Sequence, residues 1–176
     1  MPRIDKLQGF VLKKKILLEQ DFLVTIFTQE LGKITAIAKG ARKITSRRIS
    51  HLQTANLIKL HVSDFHDIFY IQSTELISGF IKVRTIEKQD IIYLYFYILD
   101  KMLPERQAEE VLYSYTKRLF IELSKDSQDP KEILHAILQK TLMNMGYIQH
   151  QKTFSELIAL VEQNIEEKLP AHVIMD

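Results

Sequence analysis

The sequence predicts an α+β protein, with a five-stranded β-barrel over residues 1–80 and an all-α domain over 81–176. Three observations carry that reading. Near residue 80 the apolar pattern changes from short β-branched runs to the three- and four-residue spacing of helices. No glycine occurs between Gly79 and Gly146, as suits close-packed helices with few sharp turns. The charge changes sign at the same place. Residues 1–85 hold 14 Lys and Arg against 7 Asp and Glu, while residues 86–176 hold 10 against 15.

The strands follow in order. Gly9-Phe10-Val11-Leu12 leads through Lys13-Lys14-Lys15 into Ile16-Leu17-Leu18. Leu23-Val24-Thr25-Ile26-Phe27-Thr28 is dense in β-branched and aromatic residues, which fit a pleated, half-buried surface. Leu31-Gly32-Lys33 reads as a tight connection, with Gly32 supplying the turn into Ile34-Thr35-Ala36-Ile37-Ala38. After a polar, basic excursion, Ala55–Val62 and Asp67–Thr74 read as two further strands. Five short strands interrupted this way suit a small closed barrel better than a sandwich.

The helices then follow. Ile91, Ile92, Leu94, Tyr95, Ile98, Leu99 and Met102 mark a first helix ahead of Pro104. Val111, Leu112, Tyr115, Leu119, Phe120 and Leu123 give a second its apolar face. Asp129 as cap, Pro130 in the first turn, Glu132 completing a capping box and Gly146 at the end bound a third. Thr153 and Glu156 open a fourth, through Phe154, Leu157, Ile158, Val161 and Ile165. There is no internal repeat and no low-complexity tract.

Composition narrows the function. Hydrophobic residues make up 46% and charged residues 26%, ordinary values for a folded chain. The longest apolar stretches fall well short of the roughly 20 residues that span a membrane. The first six residues lack the apolar core of a signal peptide, so a cytoplasmic setting without membrane partners is expected. With no cysteine there is no disulfide, no thiolate zinc site and no cysteine nucleophile. No nucleophile elbow, HExxH, P-loop or GxGxxG is present, so a non-enzymatic protein without cofactors is expected. His61 and His66 flank Asp64 and Asp67, a spacing that suits solvated loop histidines better than convergent metal ligands.

The basic window is the strongest functional signal. Glu30 and Asp64 bracket 33 residues without a carboxylate, which contain Lys33, Lys39, Arg42, Lys43, Arg47, Arg48 and Lys59. Loops carrying Lys and Arg beside a barrel groove reach successive phosphates, and Gly40 permits close backbone approach. Lys13, Lys14 and Lys15 form a second cluster, either in phosphate contact or at a solvated strand end. Phe10, Phe22 and Phe27 are candidates to stack bases, although Phe27, in mid-strand, also suits the core. In the helical half, Tyr93, Tyr95, Phe96 and Tyr97 put aromatic surface on nearly every side of one helix. That helix is either the bundle centre or one wall of a peptide groove, in which Lys117 and Arg118 would meet a carboxylate.

The order of these motifs is also distinctive. Gly9-Phe10-Val11-Leu12-Lys13-Lys14-Lys15, then Asp21–Thr28 ending in T-I-F-T, then Leu31-Gly32-Lys33 and Ala38-Lys39-Gly40-Ala41-Arg42, resembles the N-terminal region of the RecO family of bacterial recombination mediators. Leu52-Gln53 and Thr74-Glu75-Leu76 extend the resemblance, and Leu142–Tyr147 is its best match in the helical half. The resemblance implies an OB-fold barrel, and DNA binding by Lys33, Lys39, Arg42 and Lys43. It further implies binding of single- and double-stranded DNA, strand annealing, and action with RecR in loading RecA onto DNA. The acidic C-terminal tail of single-strand-binding protein would dock on the helical domain. Many relatives carry a four-cysteine zinc insertion after the position of Gly146-Tyr147; this sequence has no cysteine and passes into a last helix, so a shortened helical domain without zinc is expected. The residues leave open a second reading, an adaptor whose barrel binds protein or RNA.

Overall fold

The computed structural model describes residues 4–17, 20–41, 46, 48–79, 85–125 and 128–170. The chain divides into two compact units, Met1–Phe80 with Leu103–Glu110, and Ile81–Met102 with Val111–Asp176. Residues 103–110, assigned from the sequence to the helical half, thus belong with the barrel.

The first unit is a closed barrel of β1 (Ile4–Ile16), β2 (Phe22–Thr28), β3 (Gly32–Ala38), β4 (Leu57–Phe65) and β5 (Ile68–Ser78). A four-residue helix, α1 (Arg48–His51), lies between β3 and β4 in sequence. Around the barrel the order is β1-β2-β3-β5-β4, the arrangement of an OB-fold. All pairings are antiparallel except β3 with β5, where Ala36 faces Phe69 and Ile37 faces Tyr70. The two runs expected at the N-terminus are one strand. Its 13 residues pair with β4 through Ile4–Phe10 and with β2 through Gly9–Ile16. Such sharing needs a sharp curl, and Gly9 permits it: a Cβ there would lie 2.7 Å from the Phe27 carbonyl oxygen.

Inside the barrel, Val11, Val24, Ile26, Ile34, Ile58, Leu60 and Val62 are buried together, with Leu52 added from the residue after α1. The alternating pattern of the strands supplies this core, while the opposite face mixes polar and charged residues with apolar ones such as Leu23, Phe27 and Ile37. At the β2–β3 connection Gly32 has φ +70°, and Thr28 Oγ1 donates to the Gly32 carbonyl at 2.8 Å. The β4–β5 hairpin turns on His66 and Asp67, at φ +50° and +61°, the left-handed pair of a two-residue type I′ turn.

Residues 103–110 lie across the start of β3. Arg106 N–H donates to the Lys33 carbonyl at 2.8 Å, and Lys33 Nζ lies 3.6 Å from Glu105. The Arg106 guanidinium sits 4.7 Å from the centre of the Phe69 ring and pairs with Asp67.

The second unit comprises α2 (Ile86–Met102), α3 (Glu110–Leu123, of which Glu110 belongs to the barrel unit), α4 (Pro130–Asn144) and α5 (Phe154–Ile165). α2 buries Ile91, Ile92, Leu94, Tyr95, Phe96, Ile98 and Leu99, which makes it the central helix. Tyr95, fully buried, shares a hydrogen bond of 3.0 Å with Thr141 of α4, and desolvation pushes its hydroxyl pKa up. Asp129 caps α4 by accepting from Lys131 N–H, and Gly146 closes it at φ +80°. The reciprocal capping box is complete at α5, where Thr153 and Glu156 each accept from the other's backbone N–H. Beyond α5, Glu167 accepts from Tyr97 and Lys101, and these bonds hold its carboxyl below the usual range. Among the described residues no helix is long and apolar enough to cross a membrane.

Two glycines with positive φ make contrasting tests. A Cβ on Gly32 would lie 1.7 Å from the Gln107 carbonyl oxygen, whereas one on Gly146 meets nothing within 4 Å among the described residues. Gly32→Ala should therefore cost about 3 kcal/mol or more, and Gly146→Ala only the backbone strain of about 1 kcal/mol. Urea unfolding of the two variants checks the difference; equal losses would mean that residues 103–110 do not lie against Gly32.

Candidate nucleic-acid interface

The sheet register decides which basic side chains share a face. Between Val11 and Lys13 the pairing of β1 with β2 slips by one residue, leaving Leu12 as a bulge. Before the bulge, Leu7 and Val11 point into the core. After it, Lys14 is paired with the core residue Val24, while Lys13 and Lys15 are paired with Thr25 and Leu23 on the outer face. A one-residue slip reverses the facing of everything beyond it.

Lys14 accordingly turns toward the end of the barrel. Its Nζ donates to Gln53 Oε1 at 2.7 Å and lies 5.2 Å from the Phe22 ring centre, and partial burial lowers its pKa. Lys15 is exposed and begins a row of register neighbours that crosses the outer face: Lys15, Leu23, Ile37, Tyr70 and Ser63. From Lys15 to Tyr70 is three strand spacings, roughly 14 Å.

At the far end of that row lies an open groove of about 550 Å³, lined by Ile37, Lys39, Arg48, Phe65, Tyr70 and Gln72 among others. Arg48 is bound to the backbone on both sides of it, donating to the Lys39 carbonyl at 2.7 Å and the Ile71 carbonyl at 3.1 Å. The guanidinium thereby ties the end of β3 to β5. Lys39 is exposed, with Nζ 4.9 Å from the Tyr70 ring centre. Gly40 has φ +62°, and its N–H donates to Asp21 at 2.7 Å, which anchors the backbone next to Lys39.

The candidates named from the sequence therefore separate. Lys13, Lys15, Lys39 and Arg48 lie on the outer face or in its groove. Lys33 does not join them: it is 8% exposed and committed to Glu105, because residues 103–110 cover the start of β3. Arg42, Lys43 and Arg47 lie outside the described residues. The stacking candidates Phe10, Phe22 and Phe27 are all buried and present no ring to a base. Tyr70 and Phe65, passed over in the sequence, hold the aromatic positions of the groove. The only signal for Tyr70 was the alternation of β5, and a strand whose register is unknown does not say which face is open; Phe65 ends β4, beyond the run the sequence marks as a strand.

The histidines take structural places. His61 Nδ1 is 2.8 Å from Ser73 Oγ, and His66 meets the Phe65 ring edge-on at the hairpin tip. Among the described residues no three His, Asp or Glu side chains are placed to hold a metal ion. In the helical unit, Lys117 and Arg118 diverge. Lys117 Nζ sits 4.8 Å from the Tyr113 ring centre, whereas Arg118 lines a groove of about 370 Å³ with Glu122, Ile133, Ile137 and Lys140.

Comparison with known proteins bears on this arrangement. Residues 1–80 match the family model described as "Recombination protein O N terminal". The chain is thus similar to RecO proteins. It is 26% identical over 147 residues to the DNA repair protein RecO of Caldanaerobacter subterraneus, an alignment covering 83% of this chain and 60% of that protein. To the RecO of Acetivibrio thermocellus it is 28% identical over 145 residues, covering 81% and 57%. With the RecO of Listeria monocytogenes the figures are 27% over 154 residues, covering 81% and 56%. The chain thus spans about 60% of the length of the RecO proteins it matches.

The hydrogen bonds separate a structural cation from a free one. Arg48→Ala should destabilise the barrel by about 1–2 kcal/mol, through two lost charge-assisted bonds. Lys39→Ala should stay within about 0.5 kcal/mol of the parent. Urea denaturation of both variants checks this, and a Lys39 variant as costly as the Arg48 one would give Lys39 a structural role.

Proposed function

We propose that this chain is a RecO-family, non-enzymatic DNA-binding protein of recombinational repair that holds nucleic-acid backbones on the outer face of its barrel. The observation that carries the reading is the row from Lys15 across Leu23 and Ile37 to the groove of Lys39, Arg48 and Tyr70, which places cations at both ends of one side of a closed sheet. Backbone contact of this kind is electrostatic and reads little sequence. It brings phosphates together while leaving bases accessible, which is what annealing of complementary strands requires, and no catalytic group is needed. The likeness to RecO proteins supports DNA over RNA as the ligand, and a cytoplasmic role in which the chain would act with RecR to load RecA.

The helical unit would supply a protein contact. Arg118, 4.0 Å from Glu122, and Lys140 flank a floor of Ile133 and Ile137 in a groove that Glu132 also lines, and a short peptide with hydrophobic anchors and a terminal carboxylate, such as the tail of single-strand-binding protein, would exchange for Glu122 on Arg118. Lys117, committed to the Tyr113 ring, stands outside that groove.

Titration of the full chain with labelled single-stranded DNA, duplex DNA and RNA at several salt concentrations tests the first part. About four neutralised phosphates should give a slope of log affinity on log salt near −3 for single strands. The Lys15→Glu, Lys39→Glu variant should bind at least tenfold more weakly, with a slope shallower by about 1.4. A slope near zero, or an unchanged affinity in the folded variant, would sink the proposal. For the second part, calorimetry with the tail peptide should show weaker binding to Arg118→Ala and unchanged binding to Lys117→Ala; the reverse order would remove the groove.

A further inference from the structure

The groove between β3 and β5 contains more than cations. Tyr70 stands at its centre, half-buried, opposite Ile37 on one side and Ser63 on the other. Phe65, at the end of β4, is 58% exposed on the rim. Gln72 donates to Ser63 Oγ at 2.7 Å beside it, so the lining combines two aromatic rings with amide and hydroxyl groups. A large aromatic side chain left so open at a groove that also holds Lys39 and Arg48 calls for an occupant with both a flat face and a negative charge. The barrel's other aromatic candidates, Phe10, Phe22 and Phe27, are withdrawn from solvent and cannot meet it.

We infer that this groove is a nucleotide subsite, in which Tyr70 and Phe65 stack on unpaired bases while Lys39 takes the adjoining phosphate. The inference rests on the nucleic-acid reading above and deepens it, since it names unpaired bases as the ligand. Lys39 Nζ lies 4.9 Å from the Tyr70 ring centre, so ammonium and ring can both reach one nucleotide. In the free protein the ammonium lies over the ring, a weak contact for an exposed pair. A phosphate competes for that ammonium with a charge-assisted hydrogen bond, and the ring face becomes available to the base. Every base has a π-face, so the subsite is tolerant of sequence, but a base in a duplex has both faces occupied by its neighbours. Phosphate contacts alone serve single strands and duplexes alike, whereas this subsite favours the single strand.

The test uses the full chain and a single-stranded oligonucleotide containing 2-aminopurine, whose fluorescence falls when the base is stacked. Wild type and Tyr70→Phe should quench it on binding. Tyr70→Leu and Phe65→Leu should lose most of the quench and bind the single strand about tenfold more weakly. Their affinity for duplex DNA and their salt slope should be unchanged. Should Tyr70→Leu fail to fold, Phe65→Leu at the exposed hairpin gives the same readout. Full quenching and full affinity in the leucine variants overturn the subsite, as does an equal loss on single strand and duplex. Wild type that binds with a steep salt slope but never quenches defeats the subsite alone. Wild type that binds no nucleic acid defeats the function proposed above as well.

Discussion

Closure of the barrel is the constraint on which the first unit depends. Five short strands present ten edges of backbone N–H and C=O groups, and a closed sheet satisfies them without exposing an edge. Closure here needs two things that no single strand supplies. One long β1 must serve two neighbours, which Gly9 allows by giving up its side chain at the tightest approach. β3 and β5 must then meet in parallel, over only the pairs Ala36–Phe69 and Ile37–Tyr70. So short a seam is reinforced from both ends. Arg48 bonds carbonyls on each side of it, and Arg106 covers Phe69 while its backbone N–H binds Lys33. The groove proposed to hold nucleotides lies along this seam. The residues that close the barrel therefore also fix the shape of its binding face.

Electrostatics follow from closure. Lys33 and Lys39 lie six residues apart in the same carboxylate-free window, and their fates are opposite. Lys33 stands where residues 103–110 cross the sheet and is neutralised by Glu105. Lys39 lies just past the last residue of β3, with an aromatic ring as its neighbour and no carboxylate partner in any ion pair among the described residues. A cation beside a ring in solvent remains free to exchange for a phosphate, whereas a lysine withdrawn from solvent and already facing a carboxylate does not. Clusters of charge in a sequence mark a region, and burial chooses the members that function.

The helical unit rests on a different principle. α2 packs as the central helix, and of its crowded aromatics Tyr95 and Phe96 belong to the interior while Tyr93 is exposed and Tyr97 donates to Glu167. Tyr95 carries a hydroxyl into that interior and satisfies it on Thr141, which fixes the alignment of α2 and α4 more narrowly than apolar contact alone.

Local chemistry was enough for much of this. The alternation of β-branched residues, the turn at Gly32, the caps at Asp129 and Thr153 and the stop at Gly146 act over a few residues, and the sequence by itself determined the barrel, the helices and the basic window. What it left open depends on contacts between residues distant in the chain. The bulge at Leu12 inverts the facing of Lys13, Lys14 and Lys15, and its position follows from the fit of β1 to β2 rather than from any residue in β1. The return of residues 103–110 to the barrel removes Lys33 from the surface, and nothing between Pro104 and Glu110 signals that Glu105 has a neighbour 72 positions earlier. Burial of Phe10, Phe22 and Phe27, and exposure of Phe65 and Tyr70, was likewise decided only by tertiary structure. An alternating strand has two faces, and the partner strands choose which of them meets water.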